Sequence, residues 1–190
     1  MHDHAPILDD RVHRHLAEKI RPAETTTVCH LNVEWAPVTD TVEGLNSRPG
    51  VVGQGEPISI SAGLALAYEP FRIGDTWGPP WGTTWFHLTA TVPPEHRDDH
   101  LEMIVDLGGV WDSPGFQSEG LVVRPDGSII KALNPRNTWI PVETDTEGHI
   151  DVYVEAASNP ILLAQPPFQP TEDGDKPVSY THLRAHETRG

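Results

Sequence analysis

The chain has a single cysteine, Cys29, in 190 residues. One thiol cannot close an internal disulfide, which excludes the cross-linked secreted scaffolds and fits a reducing compartment, so a cytoplasmic location is expected. No neighbouring cationic side chain marks Cys29 as a nucleophile, and an inert, buried thiol is expected there. Positive charge is scarce too: 13 Lys and Arg stand against 28 Asp and Glu, for a formal net charge of −15. Phosphate groups and anionic lipid need clustered Lys and Arg, so neither nucleic acid nor a membrane surface is expected as a partner. No apolar run approaches the ~18 residues of a membrane span. The opening Met1-His2-Asp3-His4 has no basic segment leading into an apolar one, so no secretory signal is expected. Proline and glycine, by contrast, are plentiful, at 19 and 16. Together with alternating apolar patterns they indicate a turn-rich β domain, and the length suits one domain with a sizeable core.

The stretch Gly74–Pro93 organises the chain. Its first half is a stiff aromatic loop, in which Gly78 and Gly82 open backbone angles closed to other residues while Pro79 and Pro80 fix φ. Its second half alternates, with Trp85, His87, Thr89 and Thr91 on one side and Phe86, Leu88, Ala90 and Val92 on the other. That period of two predicts a half-buried strand, closed by Pro93-Pro94. A tryptophan-rich loop feeding a core strand must face something: sugar, a neighbouring domain or its own sheet.

Before this stretch, Leu8, Val12, Leu16 and Ile20 form one apolar stripe of a helix over residues 7–21. Asp9 and Asp10 sit near its start, Lys19 and Arg21 near its end, and Pro22 stops it. So narrow a stripe is barely stable alone, and packing on this domain or on another is expected. His13 and His15 lie two apart on that helix, on different faces, and are read as solvated. Thr25–Trp35 predicts a first strand, 36–56 a loop, and Ile58–Tyr68 is ambiguous because Gly63 interrupts either pattern. After the central strand, Leu101–Leu107 alternates, and Trp111–Phe116 forms a second aromatic loop. Glu119–Arg124 and Ser128–Leu133 read as a hairpin through Pro125-Asp126-Gly127, with glycine where φ must be positive. Thr138–Val142, broken by Pro141, predicts an edge strand, and His149–Ala156 the last strand of the domain. About eight short strands, one leading helix and no βαβ alternation predict a mainly β, jelly-roll-like β-sandwich.

Several motifs resemble one family in order: WGPPWGTTWF at Trp77–Phe86, the strand Leu101–Leu107, Glu119-Gly120-Leu121-Val122, Pro125-Asp126-Gly127, Asn134–Trp139, and Val152–Pro160. Together they resemble the N-terminal domain of family-38 glycoside hydrolases, in the branch of the fungal vacuolar α-mannosidase and its bacterial relatives. The resemblance implies the same sandwich fold. It also implies that the catalytic zinc and the aspartate nucleophile belong to a following barrel-like domain, so that no cofactor is expected in this chain. The implied partners are that catalytic domain and, for the parent enzyme, an α-mannoside oligosaccharide. Glu119 and Asn159 recur in the family pattern without a derivable role.

The expected layout is a helical segment 1–24, a sandwich 25–164, a Pro-rich linker 165–177 leading to a missing catalytic domain, and a tail 178–190. The segment Val178–Thr188 can be back-translated, codon by codon, into the mosaic end and adapter of a transposase-based sequencing library. The tail is therefore expected to be an unstructured artefact, and the natural protein to continue past Pro177. Chemistry is sparse. A glycosidase needs two converging carboxylates, and no pair among Asp106, Asp112, Glu119, Asp151 and Glu155 has a spacing that diagnoses a site. Trp77, Trp81, Trp111 and Glu119 are candidates for a sugar-facing or domain-facing surface, the tryptophans because indole rings stack on pyranose faces; the alternative for the tryptophans is that they anchor loops and core. Trp85 and Trp139, in strands, are expected in the core. Two functions remain open: the inactive N-terminal piece of an α-mannosidase, or a stand-alone carbohydrate-binding sandwich module.

Overall fold

The computed structural model describes residues 5–16, 18, 27–38, 57–78, 82–108, 118–159 and 184–186. It is a two-sheet sandwich. Helix α1 (Ala5–His15) leads, followed by β1 (Asn32–Pro37), a short helix α2 (Ile60–Leu64) and β2 (Glu69–Pro70). Then come β3 (Thr83–Thr91), a 3-10 turn Pro94–His96, β4 (Glu102–Asp106), β5 (Glu119–Val123), β6 (Ile129–Leu133), β7 (Trp139–Pro141), β8 (His149–Ala157) and β9 (Arg184–His186). One sheet has the order β2-β1-β3-β8-β5-β6 and the other β7-β4-β9. Neighbouring strands are antiparallel throughout.

Strand β3 is the axis, paired with β8 over nine residues from Thr83↔Ala157 to Thr91↔His149. Its alternation divides the domain as the sequence predicts. Phe86, Leu88 and Val92 enter the core, with Val33, Val122, Val152, Val154 and Ala156 beside them. From the smaller sheet come Met103, Val105 and Ile140, flanked by Leu101 and Leu107. β-Branched and aromatic side chains suit a pleated surface buried on one face, which is why these segments pair as strands. The β5–β6 turn has Gly127 at φ 82°, as its turn type requires.

Ile58–Tyr68, ambiguous in sequence, contains α2. Ser59 caps it, its Oγ accepting from Ala62 N at 3.2 Å, the arrangement favoured at a helix start. The helix crosses the back of the large sheet because Gly63 leaves room for the Trp85 ring.

Helix α1 leaves Leu8 and Val12 of its stripe more than half accessible, so they are not buried against the described domain. Three findings differ from the sequence expectations. The first strand begins at Asn32, and residues 27–31 precede it unpaired by strand. Trp139 is 43 % exposed, with Lys131 Nζ 3.3 Å from its ring centroid; an edge strand has no second neighbour to cover it, and the ammonium takes the ring face. Within the expected artefactual tail, Arg184–His186 pairs with Ile104–Asp106. The open edge of β4 presents unpaired backbone groups that any extended segment can satisfy.

Candidate functional site

The aromatic loop closes onto the end of β8. Gly78, at φ 69°, lies so near Ser158 that an added Cβ would sit 2.6 Å from its Cβ and Oγ. Ser158 Oγ accepts from Gly82 N at 3.1 Å and donates to Gly82 O at 3.0 Å. Trp77, just ahead, is 1 % exposed. Its ring meets Phe86 edge-on, with centroids 5.4 Å apart, and its Nε1 donates to Leu107 O at 3.2 Å. Trp77 is a core residue joining the large sheet to the end of β4, not a surface platform. The physical reason is that Gly74 and Gly78, both at positive φ, flank Trp77 and let the backbone turn its ring inward, where the indole N–H finds a carbonyl. Trp81 and Trp111 lie outside the described residues. Glu119 is exposed at the start of β5, opposite Ala157.

The polar chemistry gathers elsewhere, on the outer face of β1, β3 and β8. Register sets three rows across these strands: Ala36–Trp85–Glu155, Glu34–His87–Tyr153 and Asn32–Thr89–Asp151. His87 is the hub. Its Nδ1 lies 3.1 Å from Glu34 Oε2 and its Nε2 3.0 Å from Asp151 Oδ1. The ring satisfies both carboxylates as a donor only when each nitrogen carries a proton. Tyr153 stacks on it at 4.3 Å and 7°, and Tyr68 meets both rings edge-on. Tyr68 also donates to Gly63 O at 2.8 Å, fastening α2 to the cluster.

Burial, then the neighbouring Asp151 and Glu34 charges, pushes the Tyr153 hydroxyl above its ordinary value. Burial, then Tyr153, does the same to Tyr68. Glu155 is raised by burial, since a carboxylate pays for desolvation without a described partner. Asp145 is held low, first by the His149 backbone N–H and then by its side chain. Glu143 is held low by Arg124, which reaches its two oxygens at 2.6 and 2.7 Å.

As chemistry, the cluster is a cross-strand clip. Glu34 and Asp151 resemble a glycosidase pair only in type, because an imidazole fills the space that a glycosidic bond would need between them. Nor do the three converge on a metal: the ring nitrogens already point at the carboxylates, and among the described residues no group of His, Cys, Asp or Glu could hold an ion. Zinc does not fit the described part of this chain.

The sequence reading singled out Asp151 but missed Glu34 and His87. Alternation had placed His87 on the face opposite Phe86, and that was the available signal. Which strands flank β3 was the missing fact.

Residues 47–184 match the family model described as "Alpha-mannosidase, jelly roll domain". The chain belongs to this family. The chain is 33 % identical over 103 residues to human alpha-mannosidase 2C1, a stretch of 51 % of this chain and 9 % of that protein. It is 29 % identical over 108 residues to alpha-mannosidase G of Dictyostelium discoideum, covering 55 % of this chain and 9 % of that protein. The matched part is thus about a tenth of each relative's length. The antiparallel two-sheet architecture is that of the jelly roll named by the family. No helix among the described residues is long and apolar enough to cross a membrane.

Proposed function

We propose that this jelly-roll domain is the non-catalytic N-terminal part of a cytoplasmic, zinc-dependent family-38 glycoside hydrolase that removes terminal α-mannose residues from oligosaccharides. Its task is structural: it packs against the catalytic domain that follows, which carries the zinc and the nucleophile. The match of residues 47–184 to the jelly-roll domain of alpha-mannosidases carries this reading. The two relatives support it, since the matched stretch is only 9 % of each and leaves most of such a polypeptide for other domains. In this reading 165–177 leads toward the catalytic domain. The exposed stripe of Leu8 and Val12 on α1 is one surface left for the catalytic domain to cover, because an 11-residue helix gains little stability without burying its apolar face.

The test is to produce separately the polypeptide encoded downstream of residue 177 in the natural gene and mix it with this chain. Co-elution in gel filtration is expected, with zinc-dependent mannosidase activity residing in the downstream piece. Separate elution would contradict packing. A stop codon directly after residue 177 would contradict the larger enzyme.

A further inference from the structure

The outer face of the large sheet ends in a shallow open groove of about 750 Å³, at the last residues of β3 and the first of β8. Asn32, Thr89, Thr91, Asp145, His149 and Asp151 line it. The volume lies inside the ~300–1,000 Å³ typical of small-molecule sites. From this groove we infer a binding site for a neutral saccharide, separate from any catalytic centre.

The first argument is order. The row Asn32–Thr89–Asp151 is fixed by strand register, and its members stand about 4.8 Å apart, the spacing of adjacent strands. Asp151 is held through Oδ1 by His87, and that ring is held in turn by Glu34 and stacked on Tyr153. Asp145 accepts from the His149 backbone N–H at 2.9 Å and contacts His149 Nδ1 at 3.0 Å, which sets the imidazole's orientation. Polar groups fixed before binding lose little entropy when a ligand arrives.

The second argument is complementarity. Three carboxylates, Asp145, Asp151 and the Arg124-paired Glu143, and two threonines make the lining rich in acceptors, and Glu34 adds negative charge one row along the same face. Anions are repelled, and apolar ligands would strip water from carboxylates without repayment. A ligand that brings several hydroxyl donors and no negative charge satisfies these groups, and a sugar has that chemistry. The groove lies well away from Trp77, so indole stacking in the aromatic loop plays no part. The choice of a mannoside as the sugar rests on the function proposed above.

The experiment is an NMR titration of the full chain with methyl α-mannoside and with an α-linked mannobiose. Saturable shifts are expected at the amides of residues 32, 89–91 and 149–151, in the millimolar range. Thr91→Arg, at an exposed position, should fill the groove and weaken binding at least about tenfold with an unchanged melting curve. Asn32→Ala should weaken it with the fold equally intact. No shifts at tens of millimolar sugar, shifts confined to other surfaces, or equal binding by both variants would overturn the proposal. So would saturation of the same amides by spermine but not by sugar, which would make the groove a cation site. Association with the downstream polypeptide is read independently, so failure here leaves the proposed function standing, and the reverse.

Discussion

Trp77→Ala is expected to destabilise the domain by about 3–5 kcal/mol, the range for emptying the space of a buried large aromatic. Trp77 is 1 % exposed and ends an aromatic series in which Trp35 meets Phe71, Phe71 meets Phe86 and Phe86 meets Trp77 at centroid separations of 5.2–5.4 Å. Truncation removes the contact that closes the sandwich at the end of β4 and leaves Leu107 O without its indole donor. An orphaned buried carbonyl adds about 1–3 kcal/mol to such a cost. Trp77→Phe separates the two effects, since it retains most of the ring but removes the N–H. Urea denaturation of the three proteins measures both. A loss below ~1 kcal/mol for the alanine variant, far under the burial scale, would mean that Trp77 is a surface residue after all.

Gly63→Ala is the second large effect, and its sign runs against intuition. In an exposed helix the change would stabilise by roughly 0.5–1 kcal/mol, because alanine is the better helix former. Here the new Cβ would press into the Trp85 indole, only 2.6 Å from Cδ2 and nearer still to two other ring atoms. Trp85 cannot retreat. It is fully buried between α2 and β3, and its register partners are Ala36 and Glu155. Overpacking of this kind costs about 1–3 kcal/mol, so a net loss is expected, together with a change in tryptophan fluorescence as α2 lifts. Thermal melts of the variant check it. Unchanged or raised stability would show that α2 does not rest on Trp85.

The parts of the fold that could be read in the sequence are those governed by neighbours two residues apart. The alternation in Trp85–Val92, Leu101–Leu107 and His149–Ala156 gave strands and faces, and Pro125-Asp126-Gly127 gave the hairpin, because backbone preference and period are local properties. Partners were not legible. His87 lies 53 positions from Glu34 and 64 from Asp151, and only the order β1-β3-β8 brings them together. Trp77 shows the same limit from the other side. A loop rich in Trp, Gly and Pro has the composition of a recognition surface, but whether Trp77 turns inward depends on a carbonyl at Leu107, 30 residues away. The family resemblance reached further than periodicity because it rested on the order of six motifs, and residues 47–184 match that family's jelly-roll domain.

The central claim is that this jelly-roll domain belongs to an α-mannosidase without itself carrying the chemistry. Turnover of an aryl α-mannoside by the purified chain, with and without added zinc, tests it most directly. The account predicts no release of the aryl alcohol above the uncatalysed rate in either condition. Zinc-dependent turnover that disappears on changing Glu34 or Asp151 to the corresponding amide would contradict it, and would make the cluster around His87 a catalytic centre.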